Sequence, residues 1–368
     1  MSARIVLFGA TGYTGRLTAR ALVARGARPV LAGRSAPALE ALAAELGGLP
    51  TAVADVDRPA SVRALVEAGD VLVSTVGPFT RWGAPAVEAA IDARAHYLDS
   101  TGETPFIRRI FESWGPRADA AGVGLLTAFG YDWVPGNLAG ALALADAGER
   151  ASRVRVGYFM TGRGGSNDMS GGTRASIVEA LTEPAFAFRD AAIVTERAAR
   201  HVARFETSPG RWKSAVSVGT SEHYALPRLA AGVRDVEVFL GWFGPASRPL
   251  QKLSAAGAPL LAVPGVRGAV RRAGARLVPG STGGPDAQAR ERTGSLIFAS
   301  AHDSVGNELA SVRLTGVNGY TFTGEILAWG AVTAATSGLQ GTGALGPADG
   351  FGLEALEQGC REAGIERT

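Results

Sequence analysis

The chain is poor in the side chains that most catalytic chemistry uses. Its 368 residues include one cysteine, Cys360, four histidines and two lysines, Lys213 and Lys252. A lone cysteine closes no internal disulfide, and histidines scattered this widely do not have the short spacings of metal ligands. No metal is expected. Neither lysine has a tyrosine four residues before it, which excludes the Tyr-x-x-x-Lys centre of short-chain dehydrogenases. Net charge is only +3 and the basic residues are dispersed, which argues against nucleic acid as a partner. No apolar run reaches membrane-spanning length without charges or prolines, and Met1-Ser2-Ala3-Arg4 leads directly into an apolar stretch. Neither a membrane span nor a signal peptide is expected, and a cytoplasmic location is.

Glycine, in contrast, is abundant, at 50 residues. Seven positions near the start put three of them to work: Gly9-Ala10-Thr11-Gly12-Tyr13-Thr14-Gly15, between the apolar run Ile5–Phe8 and a stretch of helical periodicity. A strand, a tight turn and a helix follow from that pattern. Glycine supplies the backbone angles the turn needs and lets a pyrophosphate approach bare N–H groups at a positively polarised helix N-terminus. The spacing is Gly-x-x-Gly-x-x-Gly rather than the commonest dinucleotide fingerprint, so its context carries the reading. The next strand, Pro29–Ala32, ends in Gly33-Arg34-Ser35, where NAD-preferring proteins place an acid on the ribose. A guanidinium with a neighbouring hydroxyl suits a 2′-phosphate instead, and NADP(H) is the expected cofactor. The bland alternative is a solvated surface arginine.

Helical and strand signals then alternate through residue 129, which predicts a Rossmann-type doubly wound parallel sheet. Ligands in such sheets lie beyond the carboxyl ends of the strands. That rule selects Asp55, then Val76, Gly77, Pro78 and Phe79 for the cofactor, together with Asp99 to Glu103 and Gly130 to Asn137. From Arg153 the pattern becomes alternating strands with hairpin-length gaps, as in a mixed or antiparallel sheet. Two domains are expected at this length. The first spans 1–145 and is completed by 330–368; the second, an α+β substrate domain, spans 146–329. A Pro-, Gly- and Ala-rich stretch at about 246–284 reads as an insertion. Its interleaved arginines suit an acidic carrier domain, an anionic membrane surface or a second subunit, which leaves a homodimer open; a plain surface flap is the alternative. A helix beginning at Ser170-Gly171-Gly172-Thr173 is placed with its N-terminus toward the cofactor.

Three segments together, Gly9 to Gly15 with Ala32-Gly33-Arg34, Thr75-Val76-Gly77-Pro78-Phe79, and His96-Tyr97-Leu98-Asp99-Ser100-Thr101-Gly102-Glu103, resemble the saccharopine dehydrogenase-like oxidoreductases. Ser170 to Thr173, Leu226-Pro227-Arg228 and Gly350-Phe351-Gly352 extend the resemblance over most of the chain. It is closest to the bacterial trans-acting enoyl reductase branch, which implies NADPH-dependent reduction of a carbon–carbon double bond on a carrier-bound acyl or polyketide chain. Relatives often read Gly-Phe-Asp-Ser-x-Pro-Ser-Asp after the sixth strand. Here the loop is Gly130-Tyr131-Asp132-Trp133-Val134-Pro135-Gly136-Asn137, which is more aromatic and less charged.

Hydride addition to an enoyl thioester needs hydrogen-bond donors for the enolate and an acid for the α-carbon. Tyr131 is the first choice as donor, against a packing role at the domain junction. Asp132 would orient it, or serve only in a turn. Asp99, Gly102, Trp133, Asn137, Ser170, Gly171, Thr173 and His223 complete the substrate candidates. Glu103 reads as a cap for the helix that follows it, and a lone histidine such as His223 is more often structural. Two other functions stay open. One is imine reduction or a saccharopine-type dehydrogenase, for which an amino-dicarboxylate substrate would call for convergent arginines. The other is a non-catalytic NADP-binding sensor.

Overall fold

The computed structural model describes residues 3–162, 183–262, 266, 268 and 283–368. Seven parallel strands form the first sheet: β1 (Ile5–Phe8), β2 (Val30–Gly33), β3 (Thr51–Val53), β4 (Val71–Ser74), β5 (His96–Asp99), β6 (Gly124–Leu126) and β15 (Gly343–Ala344). Their spatial order is β15-β6-β5-β4-β1-β2-β3. The sequence reverses direction at β1, so a crevice opens there beyond the strand ends. Helices cover both faces. That is why β1 and β4 are buried along their whole length and read as unbroken apolar runs rather than alternating ones.

The second sheet has nine strands and is mixed. Its main path runs β10 (Val202–Ser208), β11 (Arg211–Ser217), β12 (Asp235–Leu240), β7 (Arg153–Gly162), β13 (Thr293–His302), β14 (Glu308–Gly316) and β16 (Ile365–Arg367). A hairpin of β8 (Ala185–Arg189) and β9 (Ala192–Glu196) joins through β12. Only the β7–β12 pair on this path is parallel; every other pair is antiparallel.

The segment 330–368, expected to complete the first domain, contributes to both sheets. Gly343–Ala344 pairs with β6, but Ile365–Arg367 pairs with β14. A helix from Gly319 to Ser337 joins the sheets, its cap formed by the Asn318 side chain accepting from the Tyr320 N–H at 2.8 Å. Within 246–284 a helix spans Ser247–Ala262. Arg197 holds it, donating to the Gln251 carbonyl and the Ser254 hydroxyl at 3.2 Å each. The Ser170–Thr173 segment lies outside the described residues.

Glu103 corrects its sequence-based assignment. It precedes the helix Thr104–Arg109 but does not cap it with its side chain. Its two carboxylate oxygens instead accept from the N–H groups of Phe79 and Thr80, at 2.8 and 2.7 Å, and so cap the short helix Phe79–Trp82. Sequence spacing favours the nearest helix start, whereas the parallel sheet brings the ends of β4 and β5 side by side. Glu103→Ala leaves those donors without their partner and is expected to cost about 1–3 kcal/mol, read as a lower Tm.

Candidate active site at the junction of the two sheets

The glycine turn after β1 has the form expected of it. Gly9 has φ of +89°, and a Cβ there would lie 2.7 Å from the Thr75 hydroxyl oxygen. At Gly15 a Cβ would sit 2.1 Å from the Gly9 carbonyl oxygen. This cradle, which only glycine leaves open, stands at the start of the helix Tyr13–Ala24, whose first-turn N–H groups have no acceptor within the helix. Such a cradle fits a pyrophosphate. Gly12 forms the cap position and Thr11 and Thr14 flank it.

Across the rim, Arg34 is exposed at the end of β2. Ser35 is turned to a local task, accepting from the Ala38 N–H at 3.4 Å as the cap of the next helix. Asp55 likewise accepts from the Asp57 N–H at 3.1 Å. Both side chains are engaged locally, and Arg34 carries no such contact among the described hydrogen bonds; the assignment of Arg34 to a 2′-phosphate is a proposal that the following variant tests. Arg34→Ala is therefore expected to weaken NADPH by about 1.5–3 kcal/mol, roughly 10- to 150-fold, with little change for NADH. Titration of each cofactor by fluorescence reads the difference. Val76, Gly77, Pro78 and Phe79 form the loop after β4, with a cis bond between Gly77 and Pro78.

Tyr13 has a second role that spacing alone did not show. Its hydroxyl donates to the Pro285 carbonyl at 2.5 Å and accepts from Arg290 at 3.0 Å, so the cofactor turn is clasped by the segment leading into β13.

Beyond β6, Tyr131 and Asp132 face a cavity that opens to solvent, with about 560 Å³ of empty space including its mouth. Tyr131 and Asp132 form one wall. Met160 of β7, Trp242 after β12 and Ser295 of β13 supply the second-sheet side, and Gly319 and Thr323 the helix that joins the sheets. Among the described residues lining this cavity there is no arginine, lysine or histidine. Its walls are chiefly aromatic and apolar, with one ionisable carboxyl.

That carboxyl is Asp132. Its Oδ1 is buried without a hydrogen-bond partner, while the residue keeps part of its surface open toward the cavity. Burial with no compensating donor disfavours the charged form and pushes its pKa up to about 7. Tyr131 behaves differently from its expected role. Burial drives its phenol far above the ordinary tyrosine value, and the hydroxyl points at the Phe159 carbonyl, 3.5 Å away. The ring stacks near Trp242, with centroids 6.5 Å apart and planes 13° from parallel. Tyr131 is thus a wall and a weak hydrogen-bond donor, and Asp132 is the group with a proton to exchange near neutral pH.

Several substrate candidates lie beneath the cavity rather than in it. Asp99 is fully buried, and its carboxylate is occupied by the Thr101 and Ala128 N–H groups and the Thr127 hydroxyl, each at 2.9 Å. It braces the β5 and β6 loops, and burial raises its pKa to about 6. Trp133 is 2% exposed and Asn137 supports the loop, donating to the Trp133 carbonyl and the Ser221 hydroxyl at 2.9 and 3.0 Å. His223 is also buried, against Thr220 and Phe186, with its pKa lowered to about 4 by desolvation. These four residues are corrected to supporting positions: all are buried and none lines the cavity, Asp99 closing β5, Trp133 and Asn137 lying at the start of the helix Val134–Ala147, and His223 in the helix Glu222–Leu229. Gly102 is in the second layer too: a Cβ there would meet the Asp132 carboxylate at 2.9 Å.

Sequence reading missed Met160, Trp242, Ser295 and Gly319, which the fold gathers from four distant segments. It also missed Glu222 and Tyr158, whose hydroxyl-to-carboxylate distance is 2.7 Å. Nothing in strand periodicity marks one buried position as polar, although an acid inside the apolar text around Leu226 was a usable signal.

Residues 5–122 match the family described as saccharopine dehydrogenase NADP binding domain. Trans-acting enoyl reductases of Mycobacterium ulcerans (strain Agy99) and Mycobacterium leprae (strain TN) are 40% and 41% identical over 140 residues, 36% of this chain and 34% of their own lengths. A Mycobacterium tuberculosis protein is 36% identical over 184 residues, 48% of this chain and 44% of that protein. The matches thus span less than half the length of these curated relatives. The apo saccharopine dehydrogenase (L-Glu forming) of Saccharomyces cerevisiae superposes with a TM-score of 0.61 at 13% identity, over all of this chain and 99% of that one. At that identity the likeness concerns the fold alone. Residues 5–122 are thus similar to the saccharopine dehydrogenase NADP binding domain, and the chain as a whole has a fold like that of saccharopine dehydrogenase.

Proposed function

We propose that the protein reduces the carbon–carbon double bond of an enoyl thioester with NADPH, the acyl group being presented on a carrier, and that Asp132 is the acid. The bound cofactor supplies a hydride. Gly9, Gly12, Gly15 and the first helix would hold its pyrophosphate and Arg34 its 2′-phosphate. The chain's own residues then have three tasks. Tyr131, Trp242 and Met160 exclude water from the reacting carbons. The Tyr131 and Ser295 hydroxyls supply the polar edge of an otherwise apolar wall. Asp132 gives its proton to the α-carbon, so that the double bond is replaced by two C–H bonds, one built from hydride and one from the Asp132 proton.

The observation that carries this reading is the cavity lining: one protonatable carboxyl among aromatic and apolar groups. An amino-dicarboxylate, the substrate type of saccharopine chemistry, would need cations there, and the described lining has none. The names of the mycobacterial relatives support the same choice. In this reading the nucleotide is bound by residues 1–145 and the acyl group is enclosed mainly by 146–329.

Purified protein mixed with NADPH is expected to lose absorbance with α,β-unsaturated acyl thioesters and not with cyclic imines. Oxidation by imines alone would move the protein to C–N chemistry. Binding of NADPH with no turnover on either panel would favour the sensor reading.

A further inference from the structure

Behind the Asp132–Trp133 loop lies a second acid that the proposed reaction does not touch. Glu222, at the start of the helix Glu222–Leu229, is fully buried. Its Oε1 is 2.7 Å from the Tyr158 hydroxyl of β7, and its Oε2 is buried without a well-formed hydrogen bond. The same hydroxyl receives the Gly136 N–H at 2.8 Å and lies 3.1 Å from the Trp133 carbonyl. Packing is tight: a Cβ on Gly136 would be 2.1 Å from that hydroxyl and 2.5 Å from the Glu222 carboxyl.

A count of hydrogens assigns the proton. The phenol has one hydrogen and two lone pairs. If Glu222 were ionised, the carboxylate and the Trp133 carbonyl would compete for that single hydrogen, and a buried charge would be left to the weaker contacts of the Thr220 hydroxyl and its own backbone N–H. If Glu222 is neutral, its O–H donates to Tyr158, Gly136 donates to Tyr158, and Tyr158 donates to the Trp133 carbonyl. Each of these three contacts is then a hydrogen bond.

We propose that Glu222 is a positioning residue: as the neutral acid it donates to Tyr158, and the chain Glu222–Tyr158–Trp133 carbonyl fixes the loop that aims the Asp132 carboxyl into the cavity. Burial favours the neutral acid most strongly and negative charge on Asp132 adds to it, while the Tyr158 and Thr220 hydroxyls and its own backbone N–H favour the charged form, and the balance raises its pKa to about 7. The other titratable groups around it are Tyr158 itself, Asp132 on the loop and, next in sequence, His223, which desolvation keeps neutral and which feels the Arg189 charge. The role rests on Asp132 as the acid, but the proton on Glu222 can be read without any substrate.

Infrared spectra of the full chain at about pH 5.5, without substrate, are expected to show a protonated-carboxyl C=O band that disappears in Glu222→Gln and shifts in Tyr158→Phe, where the hydroxyl is lost but the ring remains. If Glu222→Gln removes only ionised-carboxylate intensity, the assignment fails, whatever the reaction proves to be. With an acceptor that the wild type reduces, Glu222→Ala should lower kcat by about 5- to 150-fold with the KM for NADPH held, the range for a lost buried hydrogen bond. Glu222→Gln, which can still donate to Tyr158, should recover most of that loss. Equal rate losses in both variants would overturn the positioning role.

Discussion

Asp132→Asn is expected to lower kcat by about 10²- to 10⁴-fold while leaving NADPH affinity intact, because the substitution keeps the shape of the side chain and removes its exchangeable acid proton. The pH profile gives a second, independent sign. Asp132 must be protonated to act, so wild-type turnover should fall as pH rises through about 7. In Asp132→Asn that limb should vanish from the residual rate. Stability moves the other way. The folded pKa lies above the ordinary value of 3.8, so the contribution of this group is complete below that value and lost as pH rises through about 7. Asparagine cannot ionise, and the variant should have a higher Tm than the wild type at alkaline pH and a smaller difference at pH 5. A rate unchanged by the substitution would return Asp132 to a turn residue.

The second large effect is expected at Gly15. An alanine Cβ would stand 2.1 Å from the Gly9 carbonyl oxygen and 2.9 Å from the Ala10 Cα, both backbone atoms that cannot rotate aside. The turn and the first helix must separate, at a cost of about 1–3 kcal/mol for overpacking, occasionally more. Since the same atoms form the pyrophosphate cradle, NADPH affinity should fall by at least about tenfold. Gly12→Ala makes a useful contrast: its Cβ would meet only the Gly9 carbonyl oxygen, at 3.2 Å, so a milder loss is expected. Calorimetric titration with NADPH, beside a thermal melt, separates a lost site from a lost fold. Equal binding by the two variants would contradict the cradle.

How much of this was legible in advance depended on how local each feature is. The glycine turn, the parallel strands and the arginine after β2 are written in short windows, where period and turn chemistry decide the backbone. The loop after β6 was also found, since strand ends in a doubly wound sheet mark the ligand rim. What short windows did not give was the division of roles within it. Tyr131 and Asp132 are neighbours in sequence and both line the cavity, yet the phenol is packed against Tyr158 and Phe322 while one carboxyl oxygen of Asp132 is buried without a partner. Burial sets their acidities, and burial is a property of the assembled structure. Glu103 shows the same limit: its partners are 23 and 24 positions away and adjacent only once β4 and β5 pair.

The cavity draws its walls from both sheets and from the helix that joins them. In the proposed reaction the first sheet would supply the acid and the nucleotide turn, while Met160, Trp242 and Ser295 come from the second. Chemistry and selectivity can therefore drift independently. Descendants of one ancestor could exchange a straight acyl chain for a branched or aromatic one by altering a few side chains on β7, after β12 and on β13, with every contact to the nucleotide conserved. The same separation offers a place to start in retraining the protein for a new acceptor: diversify Met160 and Trp242, and leave the glycine turn alone.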